Sequence, residues 1–303
     1  MNTVSTQREA VHLPAVIALL GATAVWGSTF LVTKDSLDTL SVANLLFWRF
    51  GIAALVLLAV APGRWLHLTT TEWRRGILLG LFLGSGFLAQ TEGLRHTSAA
   101  VSGFLTGLMV VFTPLVAAAL FSERITRRGW MAVAVATAGL GLISFNGFSL
   151  SPGSAITVLG ALLFSLQIAS LSRWATRENS YGLTAVSVAV TAAVCLVAAA
   201  LGDGVTTPAR TDEWVAILYL ALGATCLGLV LQAWSQSHLT ATTAAVIMTL
   251  EPAFAAIIAV GIGGEVLTDR MWLGATAIVA AMFIAELGPR ECCDAEVPRV
   301  QAL

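Results

Sequence analysis

The stretch Gly86-Phe87-Leu88-Ala89-Gln90-Thr91-Glu92-Gly93-Leu94-Arg95-His96 has a counterpart 142 residues further on, Gly228-Leu229-Val230-Leu231-Gln232-Ala233-Trp234-Ser235-Gln236-Ser237-His238. Gly86, Gln90 and His96 return as Gly228, Gln232 and His238, and the match runs without a gap from 86–130 onto 228–272. It continues through Ala99/Ala241, Leu108/Leu250, Phe112/Phe254, Ala117/Ala259, Glu123/Glu265, Thr126/Thr268, Arg128/Arg270 and Trp130/Trp272. Ala and Leu recur easily in so apolar a chain. Gln, His, Glu, Arg and Trp are scarce here, and composition does not account for their agreement. A second match, at a shift of 139, lays Leu20-Gly21-Ala22 on Leu159-Gly160-Ala161 and Lys34 on Arg173. The chain reads as two related halves, residues 1–145 and 146–303.

Composition says what surrounds them. Of 303 residues, 57% are hydrophobic and 11% charged, against about 25% charged in an average soluble domain. That deficit excludes an ordinary soluble enzyme and a disordered chain. Sixteen Lys+Arg against 17 Asp+Glu leave a net charge of −1, so no basic surface awaits nucleic-acid phosphates. The four cysteines form no disulfide framework: Cys195 and Cys226 lie in apolar runs, Cys292 and Cys293 in the charged tail. This is a membrane protein, with the lipid bilayer as its solvent.

A spanning helix needs about 20 mostly apolar residues to cross about 30 Å of hydrocarbon. Ten runs qualify: 14–34, 41–61, 73–94, 98–121, 127–145, 154–174, 183–202, 213–233, 241–262 and 271–288. The first is read as a retained helix, because only Arg8 precedes it and Trp26-Gly27-Ser28-Thr29-Phe30 continues where a leader would be cleaved. The fold expected is an all-α membrane protein of ten transmembrane helices, five in each half. Five is odd, so the second half enters the membrane from the opposite side. Such inverted repeats characterise many secondary transporters, whose substrate sites lie near the midplane between the halves. A duplication kept only for packing is the plainer alternative; transport is favoured, since enzymes built this way are uncommon.

Lys and Arg concentrate in cytoplasmic connections. Arg8, Arg64, Arg74, Arg75, Arg124, Arg127, Arg128, Arg173, Arg177, Arg290 and Arg299 fall on the side of the termini, and Lys34, Arg95, Arg210 and Arg270 on the other. Both termini are therefore expected in the cytoplasm. Ser122-Glu123-Arg124 then lies inside and its partner Gly264-Glu265-Val266 outside.

Several short motifs, taken in order, resemble the EamA family of the drug/metabolite transporter superfamily. They are Trp26-Gly27-Ser28 in the first helix, Phe47-Trp48-Arg49-Phe50 in the second, Leu250-Glu251-Pro252 in the ninth, and Ser122-Glu123-Arg124 and Gly264-Glu265 closing the fourth and ninth. The resemblance covers approximately 14–288. It implies a ten-helix carrier of a bacterial plasma membrane, often an exporter of amino acids, other metabolites or toxic compounds. Members differ widely in substrate, so the family supplies none. Pro114 and Pro252 do not superpose in the repeat, so the halves differ where the ninth helix carries Glu251-Pro252.

Charges inside a membrane are costly and mark function by default. Two stand out as deep. Arg49 lies eight residues past Ser41, about 12 Å from the outer boundary at 1.5 Å per residue. Glu251 lies eleven past Thr240, about 16 Å from the inner one. In a layer about 30 Å thick the two levels nearly coincide. The two could pair, each could meet substrate, or they could form a purely structural pair fixing two helices. The long stem of Arg49 could also carry its guanidinium outward. Pro252 removes a backbone N–H beside Glu251; it either exposes backbone to substrate or serves a packing kink. The uncharged candidates for substrate binding are Trp26, Ser28, Thr29, Gln90, Gln167, Gln232 and Trp234. An amide in lipid must find partners, so the glutamines are expected to face the bundle.

Gly80-x-x-x-Gly84 and Gly103-x-x-x-Gly107 permit close helix contact. Packing within the bundle is the favoured role and a homodimer seam the other. Thr69-x-x-Glu72 fits a capping box. The rival class is a membrane-embedded enzyme acting on a lipid-soluble substrate. No His-Glu-x-x-His, no Gly-x-Ser-x-Gly elbow and no phosphate loop occurs, so neither a metal nor a cofactor is expected. The function expected is a secondary carrier of a small organic solute, working by alternating access and outward.

Overall fold

The computed structural model describes residues 13–122, 125, 127–146, 149–176, 178–236, 238–239, 244 and 247–286. Arg8, Glu123, Arg124, Cys292 and Cys293 therefore lie outside the described residues. Helices form because almost every run offers unbroken apolar sequence, and several begin at side-chain caps. Among the helices are α1 (Leu13–Ser36), α2 (Val42–Val60), the short α3 (Pro62–Leu66) and α4 (Thr70–Arg95). Ser41 caps α2, and Thr69 with Glu72 forms the expected capping box on α4. Next come α5 (Ala99–Gly107), capped by Ser98, and α6 (Met109–Phe121), the two parts of one span interrupted at Leu108. α7 (Arg127–Ser144) leads to a hairpin of β1 (Phe145–Asn146) and β2 (Ser149–Leu150), then α8 (Pro152–Trp174), α9 (Ser180–Leu201) and α10 (Thr211–Leu218). A π-helical segment, Tyr219–Leu227, joins α10 to α11 (Gly228–Gln236). α12 (Glu251–Gly261) and α13 (Asp269–Glu286) follow.

Among the described residues seven helices are long and apolar enough to cross a membrane: α1, α2, α4, Ala99–Phe121, α8, α9 and Thr211–Gln232. The chain is thus a multi-pass membrane protein. The other three expected runs are less complete. α7 and α13 are 18 residues each and begin with Arg127-Arg128 and Asp269-Arg270. The run expected over 241–262 is interrupted: Thr249 and Leu250 form a turn, and α12 starts afresh at Glu251 with eleven residues. Pro252 sits in its first turn, where the missing N–H would have had no helical partner.

α4 packs between α8 and α9, α2 lies against α9, α7 against α13, and α1 against α12 and α11. The glycine seams face inward. A Cβ on Gly80 would lie 2.5 Å from Val190 Cβ, and one on Gly84 would lie 3.1 Å from Val194 Cβ, so α4 and α9 meet at a distance only glycine allows. These faces are used within the bundle, as favoured above. The largest core cluster gathers Phe30, all of α5 but its small polar residues, and the facing sides of α7, α12 and α13. All nine residues of α5 are buried, whereas in α6 only Val111 and Val116 are.

The connection 202–210 has no regular structure but is well held. Asn44 Nδ2 donates to the Gly204 carbonyl (2.9 Å) and Asn44 Oδ1 accepts from the Thr206 N–H (2.8 Å). Trp48 Nε1 donates to the Thr206 carbonyl and Trp214 Nε1 to the Pro208 carbonyl. The Glu213 carboxylate accepts from the backbone of Ala209 and Arg210.

Candidate functional site

The site grows from Trp26-Gly27-Ser28-Thr29 on α1. Gly27 lets two backbones touch: a Cβ there would lie 2.7 Å from Phe254 Cβ, 2.8 Å from Ala255 N and 3.0 Å from the Glu251 carbonyl. The first turn of α12, with Glu251 in it, is thereby pressed against the middle of α1. On either side of Gly27, α1 reaches the π segment. Trp26 Nε1 donates to the Ala224 carbonyl (2.8 Å), and the indole lies over Gly228, where any Cβ would strike it. The Ser28 hydroxyl shares a short hydrogen bond with the Tyr219 hydroxyl. Thr29 turns back to the Trp26 carbonyl, as hydroxyls in apolar helices do.

Arg49 approaches the same π segment from α2. It is 7% exposed, and its Nε donates to Thr225 Oγ1 over a long 3.4 Å. Its guanidinium carbon stands 5.0 Å from the ring centroids of both Phe50 and Phe87, a geometry of weak cation–π attraction. Phe87 in turn meets Phe164 of α8 edge-on. Among the described residues no acceptor is within hydrogen-bonding range of either Nη group. Arg49 and Glu251 lie within reach of each other's charge, but no guanidinium nitrogen comes within 4.0 Å of the carboxylate. The two deep charges are therefore brought to one region without forming the direct ion pair that was one of the sequence alternatives. Glu251 is half-buried in the first turn of α12.

The glutamines follow the repeat. Gln90 Nε2 donates to Thr106 Oγ1 at 2.9 Å, and Gln232 Nε2 points at Met248 Sδ at 3.5 Å. Thr106 and Met248 are themselves 142 residues apart, so each amide reaches the corresponding position in its own half. Gln167 on α8 is half-buried, with no hydrogen-bond partner among the described residues. Trp234 is 41% exposed and its ring meets His238 at 4.9 Å, away from the cluster around Arg49. Tyr219, Thr225 and Phe87 belong to the cluster, beside Phe50 of the Phe47-Trp48-Arg49-Phe50 motif, and were not among the binding candidates read from the sequence. One of the chain's two tyrosines in the middle of an apolar run was the only signal available. Among the described residues no three His, Cys, Asp or Glu side chains come together as metal ligands would.

A bundle of apolar helices with two opposite charges held apart in its interior is the build of a membrane transporter, and the family comparison agrees. The EamA-like transporter family matches residues 13–145 and again 151–286, so the chain belongs to that family. An uncharacterized transporter of Archaeoglobus fulgidus is 30% identical over 91% of this chain and 87% of its own length. The uncharacterized inner membrane transporter YedA of Escherichia coli K12 is 25% identical over 91% of this chain and 92% of its own. A crystal structure with 20% sequence identity superposes with a TM-score of 0.63, covering 91% of this chain and 97% of the other, and shares the fold.

Proposed function

We propose that this protein is a secondary carrier that moves a small organic solute, amino-acid-like or drug-like, outward by alternating access. The observation that carries the reading is Arg49: a buried guanidinium whose Nη donors have no partner among the described residues, in the region of a half-buried Glu251 that makes no ion pair with it. A stranded buried charge is expensive. A solute able to meet one or both charges recovers that cost on binding. Trp26, Ser28, Thr29, Arg49, Gln90, Gln167, Gln232, Trp234 and Glu251 are the proposed substrate contacts, with Trp26 and Ser28 acting through the π segment they hold and Trp234 as an entry position.

The proposed architecture is ten transmembrane helices in two inverted five-helix repeats, 1–145 and 146–303, with both termini in the cytoplasm of a bacterial cell. Supporting it, the packing comes in pairs that exchange under the repeat: α1 on α12 is matched by α8 on α5 and α6, and α4 on α9 by the π segment on α2. Asp203→Cys is expected to label with an impermeant thiol reagent from outside only.

The test is flux of an amino-acid, dipeptide and antibiotic panel in proteoliposomes, with and without a pH gradient. At least one solute is expected to move, and Arg49→Gln to abolish it with the protein still folded. Movement of nothing under any gradient, by folded protein, overturns the reading.

A further inference from the structure

At the end of the bundle away from α6, beside the uncharged contacts of Asn44 and Trp48 with the 202–210 connection, a charged contact joins the two halves. Glu265 accepts the backbone N–H groups of Ala99 (2.6 Å) and Ala100 (3.0 Å), the first turn of α5, and Lys34 Nζ approaches its Oε1 at 3.3 Å. Lys34 also donates to the Thr97 carbonyl at 2.7 Å. Lys34, Thr97, Ala99 and Ala100 belong to residues 1–145; Glu265 comes from 146–303. The Gly263-Gly264 turn makes the reach feasible. Gly264 has φ +66°, and a Cβ on Gly263 would lie 2.7 Å from Leu31 Cδ1, so the loop is folded tightly onto α1. By contrast the Glu92–Arg95, Glu92–His96 and Arg210–Asp212 pairs join neighbours in sequence.

We propose that Glu265, with Lys34, is a latch that closes this end of the pathway, and that it parts in every transport cycle. The proposal rests on the inverted-repeat carrier reading above. The argument is the contrast along a single span. At the latch every residue of α5 is buried, and its seam with α12 is made of small contacts: a Cβ on Gly103 would lie 2.7 Å from Ala255 Cβ, and one on Gly107 would lie 2.9 Å from Pro252 Cγ. Beyond Leu108 most residues of the same span are only half-buried. The span is thus packed more tightly at the Lys34 end than toward the other, and in the proposed orientation the tight end faces outside. Flat seams of glycine and alanine offer little interdigitation to hold them, so charge-assisted hydrogen bonds to the start of α5 supply the hold. Beneath the latch the Ser102 hydroxyl is buried with no partner among the described residues, a cost that hydration in an outward-open state relieves.

The test uses the full chain in right-side-out membrane vesicles, with Cys195→Ala, Cys226→Ala, Cys292→Ser and Cys293→Ser as background and Ser102→Cys as reporter. With the latch intact, an impermeant maleimide added outside labels the reporter slowly. Glu265→Gln, and separately Lys34→Gln, are expected to raise that rate about tenfold or more, as loss of a charge-assisted bond shifts a two-state population. An unchanged rate in both variants, with size-exclusion profile and melting temperature retained, overturns the latch. A rise seen only from the cytoplasmic side keeps the latch and overturns the orientation. Because labelling needs no substrate, these outcomes stand apart from failure of the flux screen. Where a transported solute is in hand, Lys34→Cys with Glu265→Cys, oxidised to a disulfide, is expected to stop flux reversibly on reduction; undiminished flux through the cross-linked protein also overturns the latch.

Discussion

α4 and its sequence counterpart 142 residues on are two versions of one helix. Residues 70–95 form an unbroken α-helix, held to α9 along Gly76, Gly80 and Gly84. The counterpart is α-helical at both ends and π-helical over Tyr219–Leu227. In the counterpart Tyr219, Ala224 and Thr225 receive Ser28, Trp26 and Arg49. π turns inside α-helices are rare and frequent at functional sites. The first copy is built to pack. The second is built to be gripped by polar side chains from α1 and α2, and the deep charges lie beside the second.

The sharpest break in this comparison is at Gly27, which sets α12 against α1. Gly27→Val is expected to yield no folded, monodisperse protein, since the Cβ meets backbone and the overpacking exceeds the usual cost of about 1–3 kcal/mol. Gly21→Ala, with nothing within 4 Å of its Cβ, is expected to leave the melting temperature unchanged. Folded, stable Gly27→Val protein would remove the close approach from the argument.

Next in size is Arg49. Arg49→Ala is expected to lower stability by about 1–2 kcal/mol, because the guanidinium loses its contacts with Phe50, Phe87 and Thr225 and Glu251 loses a nearby opposite charge. Arg49→Ala with Glu251→Ala is expected to recover part of that loss and not all, since the two share a field and no bond. Thermal denaturation of the four proteins of this cycle reads the coupling; strict additivity would mean that the charges act independently. If Glu251 carries a coupling proton, Glu251→Gln keeps solute binding and abolishes the response of flux to a pH gradient.

The smallest effects sharpen the contrast between the two helix copies. Trp26→Phe and Tyr219→Phe each remove one hydrogen bond to the π segment and are expected to cost about 0.6–1.7 kcal/mol, the range for bonds between membrane helices. Phe82→Leu, in the unbroken α4, is expected to move the melting temperature less than either. The reverse order would show that the π segment is not held by these contacts.

Much of this molecule was legible in its sequence, and the reasons are specific. Outside 241–262, apolar runs gave the described helices to within a few residues, and Thr69 and Glu72 gave the start of α4, because desolvation and capping act locally. That Gln90 and Gln232 would take corresponding places was read from the repeat, whereas their partners Thr106 and Met248 were not. The π segment was not legible, since 219–227 carries the same apolar composition whether it turns every 3.6 residues or more widely. Trp234 was grouped with the interior residues yet points outward. A helix apolar all round has no amphipathic phase from which to read its rotation. The turn before Glu251 was half legible: Pro252 announced a disturbance, but not that the helix begins there.

The connection 202–210 has consequences for anyone handling this protein. Its Gly202-Asp203-Gly204 and Pro208 give it the look of a site for protease nicking or epitope insertion. Yet side chains from α2 and α10 already engage its backbone at Gly204, Thr206, Pro208, Ala209 and Arg210. A cleaving enzyme needs an extended strand it can pull into its own cleft, and this loop is bound on its inner side from end to end. An insertion here would pull Asn44 and Trp48 from their partners and disturb α2 three turns or less from Arg49.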